Sequence, residues 1–228
     1  MQQSNPLLDA FVADLRQLSR LHPTFPLHDL FSPSTDPSTR GEVWESLSSK
    51  GEGLINAYSW AIPDETALRV VQHFASLDGG AGVVEVGCGA NYYWGKRLIE
   101  RGVDYRGYDI DVDRGGKLEA GGKKAKKEAW PKKGGAEVLA HKDNCKRALF
   151  LCFPDEDVQG NNEHAADPLS VQCLSAFTGD HIIHVGELFG ANVSRSQSPF
   201  GRSTSAAFQC RLHAEFHCLL RHKVSLVP

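Results

Sequence analysis

The sequence predicts an α/β fold, a mostly parallel sheet flanked by helices with a helical cap in front of it. Three observations lead there. Short continuous apolar runs alternate with helical patterns from residue 82 onward, the first of these runs ends in two spaced glycines, and the residues before it carry helical periodicity and prolines but no strand pattern. Strands alternating with helices at this spacing imply right-handed βαβ units and a parallel sheet. A chain of 228 residues is long enough to bury such a core.

Taken in order, Pro6 to Arg20 reads as a helix, with Asn5 as its N-cap, Pro6 in the first turn, and Leu7, Leu8, Phe11, Leu15 and Leu18 on one apolar stripe. His22 to Pro37 holds four prolines and reads as irregular. A short helix follows from Gly41 into Ser48. A clearer one, Asp64 to Leu77, starts after Pro63, buries Leu68, Val71, Phe74 and Leu77, and stops at Gly79-Gly80. Residues 1–78 thus form the cap and 79–228 the sheet domain. Gly82 to Val86 is a central strand, Tyr92 to Arg101 a helix and Tyr105 to Ile110 the second strand. Arg114 to Gly135, with seven lysines and six glycines, cannot bury much surface and reads as an inserted loop. Ala136 to Ala140 is expected as the third strand, Ala148 to Phe153 as the fourth, Ala165 to Phe177 as a helix and His181 to Val185 as the fifth strand. Ala191 to Ser205 is serine-rich and irregular. A single candidate strand, Phe216 to Val227, remains, so a C-terminal hairpin would be incomplete.

A net charge of −3 argues against a dedicated nucleic-acid binder, which carries a basic excess. No apolar run approaches the roughly 18 residues that span a bilayer, so no membrane partner is expected. The N-terminus lacks the basic start and apolar stretch of a signal peptide. Cys88, Cys145, Cys152, Cys173, Cys210 and Cys218 include no CxxC pair and fit a reducing, cytoplasmic compartment. Lys123 to Lys127 reads as a solvated loop; the alternatives are a contact to RNA or an acidic partner, or a nuclear import signal. Cys210, His213 and His217 share one helix face, but the spacing matches no closed zinc motif, and no metal is expected.

The informative stretch is Val83-Val84-Glu85-Val86-Gly87-Cys88-Gly89-Ala90-Asn91-Tyr92, a strand running through two glycines into a helix. Glycine lets a ligand lie against bare backbone, and the helix start offers free N–H groups. A dinucleotide fingerprint would place a third glycine where Tyr92 stands. Glu85, two residues before the first glycine, suits a ligand carrying an ammonium and a sulfonium better than a diphosphate. The run Val84 to Gly89 resembles the first motif of the class I, Rossmann-like methyltransferases that use S-adenosylmethionine (SAM). That resemblance covers residues 82–187 and implies a SAM-binding fold. It implies that Glu85, Gly87, Cys88, Gly89 and Asn91 hold the methionine portion. Asp109, 20 residues beyond Gly89 and followed by Ile110, would take the ribose hydroxyls. Asp143 or Asn144 would meet the adenine, and Phe153, in Leu151-Cys152-Phe153-Pro154-Asp155, would border the reacting methyl. Asn91 stands where the family often has another glycine, and asparagine tolerates a left-handed backbone.

Methyl transfer needs alignment and, for some acceptors, a proton acceptor, so no nucleophilic triad is required. The resemblance places the cap on the substrate side, where Tyr58 and Trp60 are candidates to wall the acceptor pocket. Asp155 and Glu187, at the ends of the fourth and fifth strands, are candidate proton acceptors. Packing and turn roles compete with each of these readings. The function implied is methyl transfer to an unidentified small molecule, RNA or protein; the alternative is a catalytically silent SAM-binding or protein-interaction module. An NAD-dependent oxidoreductase is disfavoured by Glu85, Tyr92 and the lack of a credible Tyr-x-x-x-Lys pair.

Overall fold

In a computed structural model the described residues are 5–21, 58–112, 130–155, 167–189, 201 and 203–222. Expectations for Gly41–Ser48, for Lys123–Lys127 and for most of 114–135 and 191–205 lie outside them. The described strands are β1 (Val83–Val86), β2 (Tyr105–Asp109), β3 (Lys132–Lys133), β4 (Ala148–Cys152) and β5 (Ile182–Val185). They form one parallel sheet in the order β3-β2-β1-β4-β5. The helices are α1 (Pro6–Leu21), α2 (Glu65–Ser76), α3 (Tyr93–Glu100), α4 (Leu169–Ala176) and α5 (Ala206–Glu215).

Alternation along the strands sends side chains to two apolar layers. Val84 and Val86 of β1 and Leu149 and Leu151 of β4 pack with α4 and with Phe208 of α5. On the other face Val83, Tyr105 and Phe150 pack with Leu68 and Val71 of α2 and Trp94 and Leu98 of α3. The strands are covered on both sides, which is why β1 and β4 read as continuous apolar runs. Helix α2 begins at Asp64, whose Oδ1 accepts the Ala67 amide at 2.6 Å, and α5 begins at Ser205, whose hydroxyl accepts the Phe208 amide at 3.1 Å. Helix α1 is capped by Asn5 as its sequence suggests: Asn5 Oδ1 accepts the Leu8 amide, while its Nδ2 donates to Pro63 O and Tyr93 Oη donates to Oδ1. That residue pins α1 to the sheet domain; Leu15 and Leu18 lie outside the described side chains.

Ala136–Ala140 is a 3-10 helix, not the third strand. The strand is Lys132–Lys133, paired with Tyr108 and Asp109 inside the stretch read as an inserted loop. In α2 the buried positions are Ala67, Leu68, Val71 and Ala75, with Phe74 only half-buried. Phe216–His222 forms no strand, and 223–228 lies outside the described residues.

Candidate functional site

Strand order reverses between β1 and β4, so the chain leaves their carboxyl ends in opposite directions and opens a crevice there. The bend after β1 fills its centre. Gly87 (φ 78°) and Gly89 (φ 69°) both sit in the left-handed region, and both Gly87 and Cys88 donate their amides to Tyr108 O at 2.8 and 3.2 Å. A Cβ on Gly89 would meet nothing within 4 Å, so bare backbone faces open space at this point. Asn91 does not take the left-handed backbone that an asparagine would tolerate. Tyr92 does, at φ 33°, and α3 then starts without a side-chain cap, leaving its first amides to the crevice.

Two carboxylates flank the bend. Asp109, ending β2, accepts the Gly89 amide on Oδ2 and the Asp111 amide on Oδ1, each at 2.8 Å. Glu85 lies beneath the bend at 2% exposure, accepting a 2.5 Å hydrogen bond from Tyr105 Oη. Burial, reinforced by the Asp109 charge, pushes the Glu85 carboxyl up to about 8, although the Tyr105 bond opposes the shift. Burial, with the Glu85 carboxylate adding to it, also drives the Cys88 and Cys152 thiols well above their ordinary range, so neither provides a thiolate nucleophile. The Tyr92 ring lies near-parallel to Tyr105 (6.5 Å, 20°), with Lys96 Nζ 4.8 Å from its centroid.

The outer walls are apolar. Ile110, beside Asp109, is 74% exposed. Across the bend, Phe153 follows β4 at φ 49° and stacks on Trp60, with centroids 6.2 Å apart and planes at 11°. Tyr58 packs edge-on against Tyr93 at 5.1 Å.

Glu85, Gly87, Cys88, Gly89, Asn91, Asp109, Ile110 and Phe153 thus converge on the carboxyl ends of three neighbouring strands. Asp143 does not. It lies at the opposite, amino-terminal edge, where its carbonyl accepts from Arg147, which in turn pairs with Asp104 just ahead of β2. Asn144 is buried there between Val138 O and Arg106. Because β3 is Lys132–Lys133, the first acid after it is Glu137, overlooked in the sequence. Its Oε1 accepts the Gly135 amide at 2.8 Å, and Gly134 is bonded to Asp109 O, which places this turn beside the second strand's end.

Asp155 is neither a solvated turn acid nor open to an acceptor. At 6% exposure its Oδ1 accepts the Ser170 amide (3.0 Å) and its Oδ2 accepts the Ser170 hydroxyl (2.5 Å) and the Ser205 amide (2.9 Å). It joins β4 to the first turns of α4 and α5. Glu187 is fixed through its backbone to Ser203 and Gln209, with its side chain against Gly201. Cys210 and His213 lie exposed on α5, and His217 follows its end. Among the described residues no helix is long and apolar enough to cross a membrane. No family model, no curated protein and no solved structure matches this chain.

Proposed function

We propose that the crevice binds SAM and that the protein transfers its methyl group to an acceptor. The observation that carries this reading is the pair of carboxylates, Glu85 and Asp109, on either side of the bare Gly87–Gly89 bend. A diphosphate would meet the Asp109 charge and gain nothing from Glu85, whereas an ammonium or a sulfonium is attracted to Asp109 and favours the ionised form of Glu85. The residues fit the remaining parts as well. The Gly89 backbone gives room for close approach, the uncapped start of α3 offers amides to a carboxylate, Asp109 retains acceptor capacity for ribose hydroxyls, and Ile110 offers an exposed apolar surface to a base. Glu137 replaces Asp143 as the acid on the adenine side. When bound, the cofactor supplies an electrophilic methyl that leaves sulfur for an acceptor's lone pair, the acceptor's proton passing to solvent.

Calorimetry tests the proposal. SAM and its demethylated product S-adenosylhomocysteine (SAH) bind, NAD does not, and Asp109→Ala weakens both by about ten-fold or more, as expected for losing hydrogen bonds to a charged group. Binding of NAD in preference to SAM would sink the reading. A second reading, a SAM-binding module without catalysis, is favoured by the engagement of Asp155, which removes the acid nearest the end of β4 from proton transfer. Labelled-methyl transfer to small-molecule, RNA and protein pools separates the two.

A further inference from the structure

The Trp60–Phe153 pair stands on the β4 side of the bend, opposite Asp109 and Ile110 on the β2 side. Alternation along β4 sends Leu149 and Leu151 to the α4 face and Phe150 and Cys152 to the α2 face, so Phe153 would next point toward α4. It does not. Its amide continues the ladder by donating to Val185 O at 3.0 Å, but its backbone turns left-handed, and the ring comes to rest on Trp60, whose neighbour Ala61 packs on the α2 face. A bulky residue in that conformation is strained, and surrounding structure has to offset the strain. Trp60 itself is held from behind: Trp94 Nε1 donates to Ala61 O at 3.1 Å, and Ser59 Oγ donates to the same carbonyl at 2.5 Å. Despite this anchoring and the stacked partner, Trp60 remains 52% exposed. A rigidly mounted aromatic stack therefore ends in an open ring surface at the mouth of the crevice.

We infer that the Trp60–Phe153 stack, the aromatic wall that the described residues place on the β4 side of the crevice, receives a planar aromatic acceptor by ring stacking. This rests on the SAM reading, in which the ribose and base occupy the Asp109 and Ile110 side and leave the β4 side to the acceptor. Stacking on a fixed indole rewards flatness and π-surface, whereas a saturated ring of equal size gains only apolar contact.

The probes are 2-naphthol and decahydro-2-naphthol, equal in carbon skeleton and hydroxyl but flat and puckered respectively. Titrated by NMR into the full chain, 2-naphthol binds about ten-fold or more tightly than its saturated counterpart. Trp60→Phe keeps that preference within about three-fold, and Trp60→Leu, which keeps apolar bulk without a ring, abolishes it. SAH affinity, measured in parallel, is the same in all three chains. Equal binding of the two alcohols to the wild type overturns the inference, as does a planarity preference that survives Trp60→Leu. Parallel loss of SAH binding in Trp60→Leu assigns the stack to the cofactor and overturns it as well. If the wild type binds no SAH yet binds 2-naphthol through Trp60, the SAM reading falls and the aromatic site stands.

Discussion

Asp155 shows how much a single side chain can be asked to hold. Three donors from two helices converge on one buried carboxylate. Asp155→Ala strands two buried amides and a hydroxyl, so unfolding in denaturant should show a loss of about 3 kcal/mol, and Asp155→Asn a smaller one. An unchanged midpoint would mean that the clamp is dispensable. Nothing in the local sequence announces it, since Phe153-Pro154-Asp155 looks like an ordinary acidic turn and its partners lie 15 and 50 residues away. Asp109 and Glu85 were legible for the opposite reason: both are fixed by strand ends that the apolar pattern marks. Asp143 was misplaced because its position depended on where the third strand lay. At the cofactor side, Glu85 gives a further expectation. A cation beside it stabilises the ionised carboxyl, so SAM binding at pH 7 releases a proton, and affinity rises with pH up to about 8. Calorimetry in buffers of different ionisation enthalpy reads that proton directly; a buffer-independent heat would contradict it.

Among the elements, β2 and α3 meet through a ring. A Cβ on Gly95 of α3 would lie 2.3 Å from Tyr105 ring atoms, and one on Gly107 of β2 would lie 2.6 Å from its hydroxyl. Glycine in a helix costs about 1 kcal/mol relative to alanine, yet Gly95→Ala should destabilise the chain, by roughly 1–3 kcal/mol, because Tyr105 would have to move. The same movement takes the hydroxyl from Glu85, so melting temperature and SAH affinity should fall together. A variant more stable than the wild type would show that helix propensity wins. The strands β1, β2, β4 and β5 were readable from apolar runs, with ends shifted by a residue or two. The third was not. Lys132 and Lys133 are both exposed, so a two-residue edge strand carries no apolar signal. Ala136 to Ala140 does carry one, but it buries Ala136 and Leu139, three apart, the repeat of a 3-10 helix rather than the two of a strand.

For the whole molecule, two buried groups set opposing slopes of stability against pH. Between pH 4.5 and 8 the folded chain keeps a proton on Glu85 that the unfolded chain has released, so stability falls as pH rises. His184 works the other way. Its ring packs edge-on against Phe208, its Nε2 is buried without a hydrogen-bond partner, and burial pushes it down to about 4. Between pH 6.5 and 4 the unfolded chain takes up a proton the folded chain refuses, so stability falls as pH drops. Their contributions cancel from pH 4.5 to 6.5, and above pH 6.5 only the Glu85 slope remains, about 2 kcal/mol by pH 8 at about 1.4 kcal/mol per unit. Denaturation at stepped pH between 6.5 and 8 should show that decline in the wild type and a level curve for Glu85→Gln; identical curves would contradict it. The Tyr105 ring wedged between two glycines also constrains descent. Enlarging residue 95 or 107 costs a lineage of this chain least once residue 105 has shrunk, and once it has shrunk the acid at 85 loses its phenol. Four positions spread over 23 residues are therefore expected to change together, so that a substitution at any of them in a sister sequence forecasts changes at the others.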